Sequence, residues 1–415
     1  MRFLFLALAM ILFLPVASTA QEEDDRGFLT RTIEDSLSGA GREVRVEGFQ
    51  GALSSEASFE RMTIADRDGV WLTLSQVTLN WSRTALLRGR LQVDELRAVS
   101  LDVPRLPVPE EKEVLPSAEA EPFELALPEL PVSINVDSFE VENITLGEPL
   151  IGVPVALGVS ASARLNEDGL NVDLSAERKD ETAGTFGIKM VVDRETAQVE
   201  LDLDLDEAPG GIAARLLKLP GQPSVLLSVA GQGPLDDFTT EIDLSTDGQQ
   251  RLEGEVELLA LQGGVDGQAP DRQVKANVQG DITALVATEY REFFGPDVGL
   301  ATTALLAADG SIDVQSFDVN AQSLALSGKV RLNTELWPEF IDVSGQIARD
   351  GTLVLLPGSD AGITVESVLL DVKFDALAGD SLTGSFAVFD LSHEAIEIGT
   401  LQLGVDGLMR ADPTA

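Results

Sequence analysis

From Arg42 onward, apolar and polar residues alternate with a period of two. Val44 and Val46 alternate with Arg45 and Glu47; Val70, Leu72 and Leu74 with Trp71 and Thr73; Val77, Leu79 and Trp81 with Thr78 and Asn80. A period of two sends successive side chains to opposite faces of a strand. The cleanest stretch runs from Val199 to Asp206, where Val199, Leu201, Leu203 and Leu205 interleave with Glu200, Asp202, Asp204 and Asp206. A helix would scatter both kinds around its axis, so this is a strand with one apolar and one anionic face. The pattern returns in Val225, Leu227 and Val229, in Ile242 and Leu244, and in Leu324, Leu326, Val330 and Leu332. It continues through Leu370, Val372 and Phe374 to Leu401, Leu403 and Val405.

Asp-Gly pairs at 68–69, 168–169, 247–248, 266–267, 309–310, 350–351 and 406–407 punctuate the strands. Asp-Gly suits the positive backbone angles of tight hairpin turns, so the spacing predicts a long antiparallel meander. Gly231-Gln232-Gly233-Pro234 is expected to be a further turn. The intervals are too irregular for a fixed-period solenoid.

Three helices are expected. Leu29, Ile33 and Leu37 form an amphipathic stripe; the others span Gly211 to Leu219, stopped by Pro220-Gly221, and Ile282 to Phe294, stopped by Gly295-Pro296. The last carries Tyr290, Phe293 and Phe294 and is expected to pack on the core or plug one end of the array. Seven of the nineteen prolines fall between Pro104 and Pro131, and proline removes ladder donors, so residues 104–131 read as a linker or loop. This divides an N-terminal helix plus β region (21–103) from an elongated β-groove array (132–415).

Ahead of this array, Arg2, the apolar stretch Phe3 to Val16 and the small residues Ser18-Thr19-Ala20 compose a secretory signal peptide cleaved after Ala20, or, uncleaved, an inner-membrane anchor. The expected location is the periplasm, associated with the inner membrane. There is no cysteine, one histidine (His393) and a net charge of −41. The charge disfavours nucleic acid and anionic headgroup surfaces, whose recognition needs Lys and Arg. The Cys/His metal and nucleophile chemistries lack their usual ligands and bases, no EF-hand pattern is present, and the open rows of carboxylates lack the shielding that raises an acid's pKa. No enzyme activity, metal or cofactor is expected. Arg83, Arg88 and Arg90 near Trp81 form the only compact basic cluster and read as edge charges that block wrong strand pairing.

What remains is the apolar face. A sheet with one greasy face must cover it, curl around it or bind something apolar, and three short helices offer little cover. The expected fold is therefore mainly β, a long curved antiparallel sheet forming an elongated open groove with a few short helices. Its candidate lining is the set of apolar positions named above from Val199 to Phe374, and its expected partners are phospholipid acyl chains.

Several segments carry a family resemblance. Phe59-Glu60-Arg61-Met62-Thr63-Ile64-Ala65-Asp66 followed by Asp68-Gly69, and Leu79-Asn80-Trp81-Ser82 followed by Ala85-Leu86-Leu87-Arg88-Gly89-Arg90-Leu91, resemble the early part of the TamB family. Leu127 to Val132, Ile144 to Gly152, Glu289 to Pro296 and Leu326 to Val330 resemble its α-proteobacterial branch. The order of the segments carries the resemblance, and it runs over most of the chain. It implies an AsmA-like, bridge-type lipid-transfer protein with a β-taco groove for phospholipid between inner and outer membranes. The implied partner is TamA, an outer-membrane barrel of the Omp85 class, with an alternative role as a scaffold or chaperone in outer-membrane protein assembly and secretion. Members of the family are usually much longer, so the resemblance implies an N-terminal part of such a protein.

Overall fold

The computed structural model describes residues 34, 38, 43–51, 54–86, 88–108, 133–261, 270–358, 362–393 and 396–410. The signal segment 1–20, most of the helix expected around Leu29, Ile33 and Leu37, and the Asp266-Gly267 pair lie outside them. Twenty-two strands dominate the described residues; the sheet is almost entirely antiparallel, does not close into a barrel and is accompanied by a few short helices. The chain forms two compact units, divided in sequence between Glu195 and Thr196.

Unit 1 contains β1 (Glu43–Glu47), β2 (Glu56–Asp66), β3 (Gly69–Trp81), β4 (Arg90–Val103), β5 (Ser133–Leu146), β6 (Val155–Asn166), β7 (Gly169–Arg178) and β8 (Gly184–Asp193), with helices α1 (Arg83–Leu86) and α2 (Glu148–Ile151). Each strand pairs with the next. The pair β4–β5 is parallel, with Leu91 opposite Ile134 and Val93 opposite Val136. A parallel pair needs a long crossover, and the proline-rich segment supplies the connection. Rather than parting two arrays, it joins adjacent strands of one sheet. Proline removes ladder donors, but it does not say where the flanking strands pair.

Two phases of alternation meet in β3, Leu72/Leu74 and Val77/Leu79/Trp81. Between them Gln76 has φ 50°, a left-handed turn of the backbone within the strand that leaves the register to β2 and β4 unbroken. Leu74 and Val77 reach one cluster with Ala98 and Val141, while Leu79 and Trp81 join Leu91, Val93 and Val136. At the far end of β2, Asp66 accepts two hydrogen bonds from the Arg105 guanidinium (2.6 and 2.8 Å) and one each from the Val108 (2.7 Å) and Asp68 (2.9 Å) amides. Arg105 above all, then these amides, hold the Asp66 carboxyl far below the usual carboxylate range.

Unit 2 contains β9 (Gln198–Glu207), β10 (Val225–Pro234), β11 (Asp237–Thr246), β12 (Gln249–Ala260), β13 (Arg272–Gly280), β14 (Val298–Leu306), β15 (Ile312–Ala321), β16 (Leu324–Leu332), β17 (Pro338–Ala348), the short β18 (Val354–Leu355) and β19 (Thr364–Val365), β20 (Ser367–Asp375), β21 (Ser381–His393) and β22 (Ile396–Leu408). Its helices are α3 (Ile212–Leu216) and α4 (Arg291–Phe294), the latter preceded by a 3-10 turn at Thr288–Tyr290. Consecutive long strands pair antiparallel, and β17 pairs with β20 past the small β18–β19 flap.

Both helices are shorter than the sequence predicts. The Glu207 carboxylate accepts the Ile212 and Ala213 amides (2.9 and 2.7 Å) and starts α3, while Lys218 at φ 53° lies past its end. Before α4, Asp281 captures the Thr283 amide at 2.9 Å, a local bond that competes with helix formation; extended backbone at Ala287 then delays the first turn. Asp247-Gly248 is the expected hairpin turn, with φ 50° and 71°. Two expected turns are strand instead: Asp406-Gly407 lies within β22 opposite Thr383 and Leu382, and Gly231 to Pro234 lies within β10 opposite Leu201 to Gln198. Continuous pairing with a neighbour overrode the local turn preference at both.

Candidate functional site

Directly opposed residues of an antiparallel pair share a face, so the register traces rows across unit 2. From Leu203 on β9 one row passes through Val229, Ile242, Gly254, Val278 and Leu300. It continues through Val319, Leu326, Gly345, Leu370 and Phe386 to Leu403 on β22. At ~4.8 Å per strand this apolar row is roughly 50 Å long. A parallel row runs from Leu201 through Val256, Phe317, Val343 and Val372 to Val405, with Gly231, Thr240, Ala276, Thr302, Gly328 and Gly384 between.

Glycines make this wall possible where large residues meet. A Cβ at Gly345 would lie 2.6 Å from Leu326 Cδ1, and one at Gly254 2.9 Å from Val278 Cγ2. The larger neighbours therefore lie across the gaps, a known role for glycine within a strand.

One end of the strands is covered. Helix α3 places Ala214 with Leu219 and Val225 against Leu205 and Leu244. At the other side of the unit Phe293, Val354 and Val365 pack on Leu324, Ile347, Val368 and Val388. Of the two expected roles, packing on the core is the one seen for Phe293 and Phe294. The rows beyond these clusters carry no such cover: no member of the Leu203 to Leu403 row is buried, and Leu300 and Leu403 are 38% and 54% exposed. The other ten members are partly exposed, and a continuous apolar strip that is not fully covered marks a place for apolar contact.

The opposite face is anionic. Glu241 stands directly opposite Glu255, and Asp243 opposite Glu253; these four side chains, with Ser228, Ala230, Asn277 and Gln279, line a cavity of about 460 Å³. A second cavity of about 460 Å³ lies beside it, lined by Asn277, Gln279, Asp281, Asp297 and Asn320 among others. These depressions are polar, and the apolar wall is an open surface rather than a pocket. The resolved carboxylate shifts of unit 2 fall at turns: Asp281 is lowered chiefly by the Thr283 hydroxyl and Asp309 by the Ser311 amide and hydroxyl. Among the described residues no group of three or more His, Asp or Glu is placed to hold a metal, and no helix is long and apolar enough to cross a membrane.

All sixteen sequence-derived wall positions, from Val199 to Phe374, fall on the same face of unit 2, although Val199, Val225 and Phe374 are buried. Leu252, Val256, Val278, Leu300 and Val319 belong to that face too and were missed. Their strands interleave Ala, Thr and Gly with the larger residues, which weakens the period-two signal without changing the geometry. Comparison with protein-family models, with curated proteins and with solved structures gives no match to this chain.

Proposed function

We propose that this chain is a TamB-like cell-envelope protein that offers a hydrophobic β-surface to phospholipid acyl chains moving between inner and outer membranes, acting with an outer-membrane barrel of the TamA class. The observation that carries the reading is the continuous, partly exposed apolar row from Leu203 to Leu403, which runs past the strand ends that α3 and α4 cover and is backed by an anionic reverse face. Acyl chains need contact with hydrocarbon and no directional bond, which such a row provides. Photocrosslinking residues at Leu203, Leu227 and Leu326 are expected to capture phospholipid in cells, and those at Asp202, Ser228 and Ala325, on the reverse face, are not. Equal labelling of the two sets would refute the proposal.

A further inference from the structure

Among the described residues, the apolar wall carries one buried cation with no ion-pair partner. Arg272 opens β13 on the same face as Val274, Ala276 and Val278, directly opposite Ala260 on one side and Leu306 on the other. It is 7% exposed, and its Nη1 atom is buried without a hydrogen-bond partner. The adjacent Asp271 turns its Oδ1 to the Ala308 amide at 2.9 Å, and Asp313 pairs with Arg331 at 3.6 Å; neither forms an ion pair with Arg272. Guanidinium does not lose its proton in proteins, so the charge stays.

Unit 1 shows the balanced counterpart. Arg178 closes β7 opposite Leu157, again on the apolar face with a buried side chain, and its Nη1, like that of Arg272, has no hydrogen-bond partner, but Asp180 meets its Nε and Nη2 at 3.0 and 2.7 Å. With 70 acidic residues against 29 basic ones, a carboxylate for Arg272 was easily supplied, yet among the described residues none pairs with it. A buried cation without a counter-ion is strongly unfavourable, and its five donors form a planar fork that matches an oxyanion.

We infer that Arg272 is a headgroup anchor: its guanidinium pairs with the singly charged oxyanion of an acyl-chain amphiphile, a phosphodiester or a carboxylate, whose chains lie along the neighbouring row through Leu258, Val274 and Ala304. The inference rests on the wall binding acyl chains, and it adds selection by headgroup. It also gives the moving lipid a defined resting point at the strand ends remote from α3 and α4.

The test uses the full chain and fluorescent lipids of matched acyl length: phosphatidylglycerol, phosphatidylcholine and a labelled fatty acid. Wild-type protein is expected to bind an acidic lipid at least ten-fold tighter than phosphatidylcholine, with the stronger of phosphatidylglycerol and fatty acid identifying the phosphate or the carboxylate. Arg272→Met should bring acidic binding down to the phosphatidylcholine level while leaving phosphatidylcholine binding intact, and Arg272→Lys should fall between. In the absence of lipid, Arg272→Met should melt at or above the wild type, because it removes an unpaired buried charge. An unchanged headgroup preference in Arg272→Met, or a large drop in its lipid-free melting temperature, would overturn the anchor and leave the wall reading standing. Binding of no lipid by the wild type would overturn both.

Discussion

Units 1 and 2 use the same alternating strands and treat their apolar faces differently. In unit 1 the mid-strand residues Val77, Leu91, Val93, Ala98, Val136 and Val141 are buried in two linked clusters. In unit 2 burial is concentrated under α3, under α4 with the β18–β19 flap, and at a few strand-end positions such as Val199 and Phe374, and the central rows stay open. Register irregularities occur in both units, beside Ala65, Trp81, Phe139 and Ile144 in unit 1 and beside Ser245, Ala304, Phe317 and Leu332 in unit 2, so they do not set the two apart. Alternation decides which residues share a face; in unit 2 the elements packed over that face decide where it is buried.

Substitutions can break this contrast. Val93→Asp places an unpaired charge where 1% of the residue is exposed and should cost more than about 4 kcal/mol, whereas Leu203→Asp on the open row should cost no more than about 1 kcal/mol while obstructing lipid capture. Urea unfolding of both variants checks this, and equal losses would erase the distinction. Within unit 2, Phe374→Ala should cost about 3–5 kcal/mol, since Phe374 is 1% exposed. Leu403→Ala on the open row should be nearly silent in the same measurement.

The acid response should be strongest in unit 1. The Asp66 carboxyl is depressed by Arg105, so its contribution is complete above the ordinary carboxylate pKa of about 4. It is lost only as pH falls towards the lower folded value. Asp66→Asn should therefore melt several degrees below wild type at pH 7, with the gap narrowing below pH ~4; a gap independent of pH would show that the ion pair is not its source. The smallest effect belongs to the reverse face of unit 2. Glu255→Lys removes the like-charge opposition to Glu241 and should stabilise by about 0.2–1 kcal/mol at low ionic strength, fading with added salt.

Much of this was legible in the sequence. Val199 to Asp206 became β9 with its faces as read, and Asp247-Gly248 became a turn with the expected backbone. What escaped depends on partners rather than local pattern. The parallel β4–β5 pair, the strand conformation at Asp406-Gly407, and the wall positions occupied by Gly254 and Gly345 are set by the neighbouring strand. The position of Arg272 was equally hidden, because a lone arginine at a strand start looks like a solvated charge until Ala260 and Leu306 are found opposite it.

Each long strand of unit 2 touches chiefly the strands it pairs with. Cohesion is then shared out link by link, as in repeat proteins, and no central nucleus fixes the size of the array. A hairpin of the right face pattern can be inserted or lost between two existing ones at the expense of a local mismatch only. The architecture can change its reach in evolution by copying or deleting hairpins, while every residue elsewhere keeps the neighbours it had.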